Sequence, residues 1–252
     1  MGALHAGHMA LVQAAIDSGA AVVTSIFVNP LQFGANEDLS RYPRDEAGDL
    51  AMLRAAGCDL VWMPDVATMY PAAAVTTIDV AGPSELWEGV SRPGHFRGVA
   101  TVCAKLFGQV RPDRAYFGEK DWQQLQVVTR MVTDLHLPLQ IVGVPTVREA
   151  DGLALSSRNR FLTTEEQRVA PRLHQALTAC AQAMAQGTQA AAALAQATSK
   201  LTASNFHVDY LALVDGPSMR PLDAVQANAR LVVAAHLGAV RLIDNIAAAR
   251  EQ

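Results

Sequence analysis

The stretch Arg114–Gln124, with the sequence RAYFGEKDWQQ, joins a short apolar strand pattern to a polar turn and the start of a helix pattern. Apolar runs occur at 20–27, 60–63, 114–117 and 140–144, and those at 20–27 and 140–144 are rich in β-branched residues. Stretches with helical spacing separate them, and we predict helices over 8–18, 45–56, 98–110 and 121–135. This alternation predicts βαβ units, and therefore an α/β fold with a Rossmann-like, mostly parallel sheet.

The composition favours a folded enzyme-sized chain. Half of the 252 residues are hydrophobic and 17% are charged, which is typical of a packed core and excludes a disordered chain. The formal net charge is -4, so the chain lacks the basic excess of a non-specific nucleic-acid binder. We expect no nucleic acid among its partners.

The cysteines and the hydropathy pattern indicate a compartment. Cys58, Cys103 and Cys180 show no CxxC spacing, which favours free thiols in a reducing environment. No segment has the roughly 18 uninterrupted apolar residues of a membrane span, and the first residues lack the pattern of a signal peptide. We expect a cytoplasmic protein without a membrane partner.

The texture of the sequence changes after about residue 145. A polar loop at 148–160 precedes an Ala-rich helical stretch, and apolar strand patterns follow at 208–214 and 231–235. We predict two domains, a Rossmann-like domain over 1–146 and a smaller C-terminal α+β lid domain over 147–252. Thr163 with Glu166, and Thr164 with Gln167, both have capping-box spacing.

The first eight residues, MGALHAGH, contain an H-x-G-H element directly before a predicted helix. Two imidazoles three residues apart at a helix start can both face a phosphate group. The helix dipole and the exposed N–H groups add to the attraction for an anion. Gly7 allows a nucleotide to approach the main chain closely. Two surface histidines remain the alternative interpretation.

Two further segments have residues suited to phosphates. Lys120 can neutralise phosphate charge, and Asp121 can cap a helix or hold magnesium through water. In the polar loop, the hydroxyls of Ser156 and Ser157 and the guanidinium of Arg158 suit a triphosphate with a leaving pyrophosphate. Each segment alone is also compatible with an ordinary solvated turn.

Taken together, these segments resemble the pantothenate synthetases, the pantoate and β-alanine ligases of the H-x-G-H nucleotidyltransferase superfamily. The resemblance covers most of the first 165 residues, and its specific passages are 1–8, 27–33, 94–102, 116–124 and 151–160. It implies that the carboxylate of pantoate attacks the α-phosphate of ATP, and that the amine of β-alanine then attacks the adenylate. It also implies Mg²⁺ beside the triphosphate, a closing lid and a homodimer.

The resemblance assigns roles to individual residues. Catalytic roles fall on His5, His8, Lys120 and Arg158. Pantoate and β-alanine are expected at Gln32 and Gln124, and no metal ligand is assigned. ATP is expected to contact Met1, Gly2, Ala3, Leu4, His5, Ala6, Gly7, His8, Gly118, Glu119, Lys120, Asp121, Val147, Leu155, Ser156, Ser157 and Arg158. His95 is expected to order the helix start at Gly98 rather than to react.

The match departs from the family at the beginning of the chain. Family members usually carry a first parallel strand before the nucleotide loop, whereas Met1 already stands inside that loop. Without this strand its two neighbours would lack backbone partners. We therefore expect the 252-residue chain to fold poorly or to be inactive, and an extension with upstream codons to restore it.

Two other functions remain open from the sequence. One is a related H-x-G-H nucleotidyltransferase that couples a phosphorylated substrate to a nucleotide and stops there. The glutamine-bearing passage 29–33 speaks against it, because a phosphorylated substrate calls for basic residues rather than neutral amides. The other is a non-catalytic ATP-binding or scaffold protein. It is disfavoured because both histidines, Lys120, the glutamines and Arg158 are all present.

Overall fold

The computed structural model describes residues 2–34, 39 and 42–248 of the chain. They form two compact units. The first contains the residues up to Glu119 together with Gln123–Pro145, and the second contains Lys120–Trp122 together with the residues from Thr146 onward. Residues 120–122, which the sequence groups with the first domain, thus cluster with the second unit.

The first unit alternates strands and helices along the chain. Its strands are β1 (Val23–Ser25), β2 (Leu60–Trp62), β3 (Arg114–Gly118) and β4 (Gln140–Val144). Its helices are α1 (Ala6–Asp17), α2 (Glu46–Ala56), α3 (Val66–Met69), α4 (Glu88–Ser91), α5 (His95–Val110) and α6 (Trp122–Asp134), the last of which begins with a residue of the second unit.

The four strands pair in parallel, as predicted. β1 pairs with β2 in the register Val23 to Leu60, and β3 pairs with β4 in the register Arg114 to Gln140. Among the described residues these are two separate two-stranded sheets rather than one continuous sheet. The α/β class is confirmed. The first strand is shorter than the predicted 20–27, although Ile26 still donates its N–H to the carbonyl of Trp62.

Helices α5 and α6 supply most of the core of the first unit. Val127, Val128 and Met131 of α6 are at most 1% exposed, and Val99 of α5 is 2% exposed. The spacing of four between Val127 and Met131 puts both on one helical face. Burying each such side chain contributes about 1.5–3 kcal/mol to the stability of the fold. This packing fixes α5 and α6, whose ends carry polar residues.

The second unit is an antiparallel sheet with helices. Its helices are α7 (Thr164–Val169), α8 (Arg172–Ala185) and α9 (Ala190–Ala203), and its strands are β5 (Phe206–Asp215), β6 (Ala229–Leu237) and β7 (Val240–Ala247), in the order β5-β6-β7. The predicted strands at 208–214 and 231–235 are confirmed within longer strands. Strand β7 was not predicted from the sequence.

Of the two predicted capping boxes, one is present. Thr163 Oγ1 accepts the N–H of Glu166 at 3.2 Å, and Glu166 Oε2 accepts the N–H of Thr163 at 2.8 Å. The prediction for Thr164 and Gln167 was wrong. Thr164 is the first residue of α7 rather than its cap, and Gln167 donates instead to the carbonyl of Leu162. The cap that forms is the one whose acidic partner completes the reciprocal bond.

The core of the second unit lies between its sheet and helices α8 and α9. Leu177 of α8, Leu201 of α9 and Leu231 of β6 are at most 1% exposed. No helix among the described residues is both long enough and apolar enough to cross a membrane.

Candidate active site

A buried carboxylate from α2 holds the loop that precedes α1. Asp49 is 2% exposed, and its two oxygens accept the N–H groups of Ala3 at 2.8 Å and Leu4 at 2.6 Å. Ala3 has φ of 48°, a left-handed conformation that costs a non-glycine residue about 1 kcal/mol or more. The two charge-assisted hydrogen bonds offset this cost and fix the loop.

The two predicted histidines lie side by side at the start of α1. His5 is the N-cap residue, and its Nδ1 accepts the N–H of Gly7 at 3.1 Å. The neutral ring therefore carries its proton on Nε2, the tautomer that this hydrogen bond requires. The ring centroids of His5 and His8 are 4.1 Å apart. A helix N-terminus with two imidazole donors is suited to a phosphate anion.

A hydrogen-bond network around Asn29 holds the side chain of Gln32. It ends the 3₁₀ turn Pro30–Gln32, which Asn29 caps. Asn29 is 2% exposed, and its Nδ2 donates to Gln32 Oε1 at 3.3 Å and to the carbonyl of Gly98 at 3.0 Å. Tyr70 donates its hydroxyl to Asn29 Oδ1 at 2.8 Å. These bonds orient the Gln32 amide so that its Nε2 can donate to a substrate oxygen.

A polar chain supports the main chain of Gln32. His95 Nδ1 lies 2.9 Å from the carbonyl oxygen of Gln32, and its Nε2 lies 3.1 Å from Arg92 Nη1. Arg92 in turn lies 3.8 Å from the Glu88 carboxylate. Because the guanidinium can only donate, His95 must accept at Nε2 and donate from Nδ1. His95 is the first residue of α5, so that helix begins three residues before the predicted Gly98.

The neighbouring glutamines of α6 differ in their surroundings. Gln123 is 6% exposed; its Nε2 donates to the carbonyls of Pro83 and Leu86, and its Oε1 accepts the N–H of Glu88. Gln123 therefore secures the 83–88 loop. The predicted substrate residue Gln124 is half-buried on the next position of the helix.

The Gly118–Asp121 segment follows β3 directly. Gly118 ends that strand opposite Val144, and the Glu119–Asp121 segment is a 3₁₀ turn. Lys120 Nζ lies 3.6 Å from Asp121 Oδ1, and the Lys120 side chain is 19% exposed. Both side chains lie in the turn at the carboxyl end of a parallel strand, which is the edge of such sheets where ligands bind.

The serine-arginine loop, residues 155–158, follows a tight hairpin. Leu155 donates its N–H to the carbonyl of Val147 at 3.0 Å. Ser156 Oγ accepts the N–H of Arg158 at 3.3 Å and caps the 3₁₀ turn Ser157–Phe161. The Ser156 hydroxyl therefore has a capping role that was not predicted from the sequence.

The predicted residues are distributed over the two units. The first unit holds Gly2–His8, Gln32, Gly118, Glu119 and Gln124, and the second holds Lys120, Asp121, Val147 and 155–158. Met1 lies outside the described residues.

Neither buried cysteine is placed for nucleophilic chemistry. Burial raises the pKa of Cys103 to about 12 and that of Cys180 to about 11, so both thiols stay protonated at neutral pH. Within 2–34, 39 and 42–248, no group of three or more His, Cys, Asp or Glu side chains is arranged to hold a metal ion.

A family model described as Pantoate-beta-alanine ligase matches residues 1–247. The chain belongs to the pantoate-beta-alanine ligase family. This confirms the resemblance drawn from the sequence. The pantothenate synthetase of Acidiphilium cryptum is 56% identical over 247 residues, which cover 98% of this chain and 89% of that protein. The pantothenate synthetase of Rhizorhabdus wittichii is 58% identical over 248 residues, covering 98% and 88%.

Solved structures of this ligase family have the same fold. The crystal structure of pantothenate synthetase from Thermus thermophilus is 53% identical, has a TM-score of 0.95 and covers 98% of this chain and 91% of that chain. The pantoate-beta-alanine ligase from Francisella tularensis is 32% identical, with a TM-score of 0.82 and coverages of 98% and 87%. Its structure is described as complexed with beta-gamma ATP and beta-alanine.

Several residues that hold the site were not predicted from the sequence. Asp49 has a recognisable pattern, because it lies four residues before the fully buried Leu53 and therefore on the buried face of α2. Asn29 lies in the passage 27–33, in which the resemblance implies a role only for Gln32. Asp244 and Asn245 lie on the missed strand β7, and their contacts join positions about a hundred residues apart, which no local pattern reveals.

Proposed function

We propose that this chain joins pantoate to β-alanine, cleaving ATP to AMP and diphosphate through a pantoyl adenylate. Membership of the ligase family and the ligands named for the Francisella relative support this proposal. The observation that carries it is the pair of imidazoles at the N-terminus of α1, 4.1 Å apart and ready to bind phosphate oxygens.

In the first step, a carboxylate oxygen of pantoate forms a bond to the α-phosphorus while the bond to the bridging oxygen of diphosphate breaks. Negative charge moves onto the departing diphosphate. His5 and His8 are the proposed donors at the phosphates, and Lys120 and Arg158 neutralise the developing charge. No covalent enzyme intermediate is needed, in agreement with the protonated state of the buried thiols.

In the second step, the amine of β-alanine attacks the acyl carbon of the adenylate, an amide bond forms, and AMP leaves with the electron pair of the broken acyl–oxygen bond. One proton leaves the amine. Gln32 and Gln124 are the proposed pantoate residues, and Gln32 borders the place of the amine. Neutral amides suit this task, because they can bind both a hydroxyl and a carboxylate without adding charge.

The remaining ATP contacts follow the family. We propose that the main chain of Met1–His8, the Gly118–Asp121 segment, Val147 and the loop 155–158 surround the nucleotide. Closing the 155–158 loop as a lid would shield the adenylate from water, because a bound adenylate hydrolyses when water reaches it.

Mg²⁺, a homodimer and a cytoplasmic location belong to the same proposal. Mg²⁺ commonly binds through one or two carboxylates and the substrate phosphates, and the half-exposed Asp121 carboxylate offers such a ligand through water. When bound, the ion would neutralise charge on the triphosphate. Light scattering of the purified chain tests the dimer.

The decisive experiment measures diphosphate and AMP with ATP and pantoate, with and without β-alanine. The ligase is expected to form bound adenylate with pantoate alone and to release AMP continuously only when β-alanine is added. Diphosphate release that never depends on the amine would indicate the nucleotidyltransferase alternative. ATP binding without any turnover would indicate the scaffold alternative.

A further inference from the structure

Two adjacent polar residues of β7 are buried in the second unit. Asp244 and Asn245 are both 4% exposed. Since side chains alternate along a strand, they point to opposite faces of the sheet. Asp244 shares its face with Val240 and Leu242, which belong to the core with α8 and α9. Asn245 points to the opposite face.

Asp244 binds Arg148, which lies in the hairpin before the serine-arginine loop. Its oxygens accept Arg148 Nη1 at 2.7 Å and Arg148 Nη2 at 2.9 Å, a two-pronged ion pair. His174 Nδ1 of α8 lies 3.5 Å from Asp244 Oδ2, close enough for charge attraction but without the geometry of a directed hydrogen bond. The N–H of Asn245 donates to Asp244 Oδ1 at 2.7 Å.

Arg148 connects Asp244 to the serine-arginine loop. It forms a β-bridge with Ala154, and its Nη1 also donates to the carbonyl of Gly152 at 3.1 Å. Asn159 Nδ2 then donates to the carbonyl of Ala154 at 3.0 Å. This last bond ties the hairpin to the 3₁₀ turn that contains Arg158. Asp244 therefore fixes the base from which the loop 155–158 projects.

Asn245 binds the segment 120–122 from the other face of the sheet. Its Nδ2 donates to the carbonyl of Lys120 at 2.9 Å, and its Oδ1 accepts Arg230 Nη1. The Arg230 guanidinium lies 3.4 Å from the ring centroid of Trp122, and Trp122 Nε1 donates to the carbonyl of Gly216 at 2.9 Å. Residues 120–122 are thus attached to the sheet through the Lys120 carbonyl and the Trp122 side chain.

We propose that Asp244 and Asn245 are positioning residues that hold Lys120 and the loop 155–158 in one fixed arrangement around the triphosphate. This inference rests on the proposed function of Lys120 and Arg158 as phosphate-binding groups. The two anchors belong to consecutive residues, whose Cα atoms are about 3.8 Å apart, so a single peptide unit links them. Cations fixed in advance need no reorganisation when charge develops in the transition state.

The first test uses two nearly isosteric variants. Asn245→Asp keeps the oxygen that accepts Arg230 but replaces the donor to Lys120 by a second oxygen. Asp244→Asn weakens the bond to Arg148. Each is expected to slow pantoate-dependent adenylate formation about 10-fold or more, as misplaced transition-state donors do. Each should also raise KM for ATP, because the same cations bind the triphosphate before the reaction. KM for β-alanine should change by less than about 2-fold, because these residues hold only phosphate-binding groups.

Asp209→Asn is the matched control. Asp209 lies on β5 of the same sheet and accepts Arg241 Nε at 2.7 Å, but it touches neither segment in the contacts described above. If Asp209→Asn matches Asp244→Asn in KM for ATP and in rate, the effect is a general weakening of the sheet and the inference is overturned.

A double-mutant comparison separates positioning from structure even if Asn245→Asp is poorly stable. In a Lys120→Ala background, Asn245→Asp should have little further effect on adenylate formation, because the group that it positions is already absent. Equal fold-losses in both backgrounds would overturn the role for Asn245. Arg158→Ala serves in the same way for Asp244→Asn.

Calorimetric binding of a non-hydrolysable ATP analogue, without any acid substrate, separates this inference from the proposed function. Wild-type chain that binds the analogue but forms no pantoyl adenylate would defeat the proposed function, while weaker analogue binding by the two variants would still support the positioning role. Variants that bind the analogue as wild type does would overturn it. A wild-type chain that does not bind the analogue would overturn both.

Discussion

Gly98 lies so close to Leu31 that a β-carbon at Gly98 would stand 2.3 Å from the Leu31 main-chain oxygen. It would also stand 2.7 Å from the main-chain nitrogen of Gln32. Both neighbours are main-chain atoms, so they cannot rotate away as a side chain could. The close approach lets Asn29 bind the Gly98 carbonyl and Gln32 together, and it explains why this helical position has no side chain.

Gly98→Ala is therefore expected to displace the Pro30–Gln32 turn. We predict a loss of unfolding free energy of about 1–3 kcal/mol from overpacking, together with a raised KM for pantoate. Urea unfolding and initial rates measure the two effects. Gly108→Ala is the control in the same helix: nothing lies within 4 Å of its added β-carbon, so it should stabilise the chain by about 0.5–1 kcal/mol. The same loss at both positions would refute the steric explanation.

The hydrogen bond from His95 to the Gln32 carbonyl gives a second prediction. His95→Ala removes the imidazole donor of that carbonyl, at a cost of about 1–3 kcal/mol. KM for pantoate should rise about 10-fold, while KM for ATP should stay near its wild-type value. The exposed His207, whose side chain is 85% exposed, supplies His207→Ala as the control. A parallel rise in KM for ATP would show that His95 supports the site only through general stability.

Much of the fold follows from local sequence patterns. The apolar runs before Gly118 and around Val61 predicted parallel strands, because such strands are covered on both faces and contain few polar residues. Strand β7 was not predicted, because Arg241, Asp244 and Asn245 interrupt its pattern of apolar residues. These residues are tolerated inside the unit because partners distant in sequence satisfy them.

The candidate site was predictable to a similar degree. The motifs predicted that His5 and His8 would lie together, because a spacing of three at a helix start puts two side chains on one face. They did not predict the supports of the site. Asp49 binds the loop before α1 from 45 residues away, and Asn245 binds Lys120 from 125 residues away. Such pairs depend on tertiary structure, which one sequence does not encode in any local pattern.

The Asp49 carboxylate gives a third prediction. Asp49→Asn replaces one acceptor oxygen by an amide that opposes the N–H of Ala3 or Leu4. We expect KM for ATP to rise about 10-fold or more, since hydrogen bonds to a charged group contribute about 1.5–3 kcal/mol. Asp45→Asn is the control in the same helix, because Asn caps a helix as well as Asp does. Unchanged nucleotide binding in Asp49→Asn would separate this carboxylate from the loop's function.

His8→Ala tests the proposed chemistry directly. Removing one donor to the transition state should slow adenylate formation about 10²-fold or more. The thermal midpoint should change little, because His8 lies on the first turn of α1 and outside the apolar core. Single-turnover diphosphate release with pantoate measures the step. Turnover equal to that of wild type would remove His8 from the mechanism.

The charge on Asp244 makes the stability of the second unit depend on pH. Burial alone would raise the pKa of Asp244, but His174, Arg148 and the N–H of Asn245 outweigh it and lower the pKa below the ordinary aspartate value of 3.8. Because the folded-state pKa is depressed, the stabilisation is present above 3.8 and is lost as the pH falls through the lower folded-state pKa. Removing the charge by Asp244→Asn should cost about 3–5 kcal/mol at pH 7, since Arg148 keeps a partly buried charge. Urea unfolding at a series of pH values measures the free energy of unfolding of wild type and of Asp244→Asn. The difference between the two should narrow below pH 3.8, because wild-type Asp244 is then increasingly neutral too. A difference that stays constant would mean that the carboxyl group contributes through its shape rather than its charge.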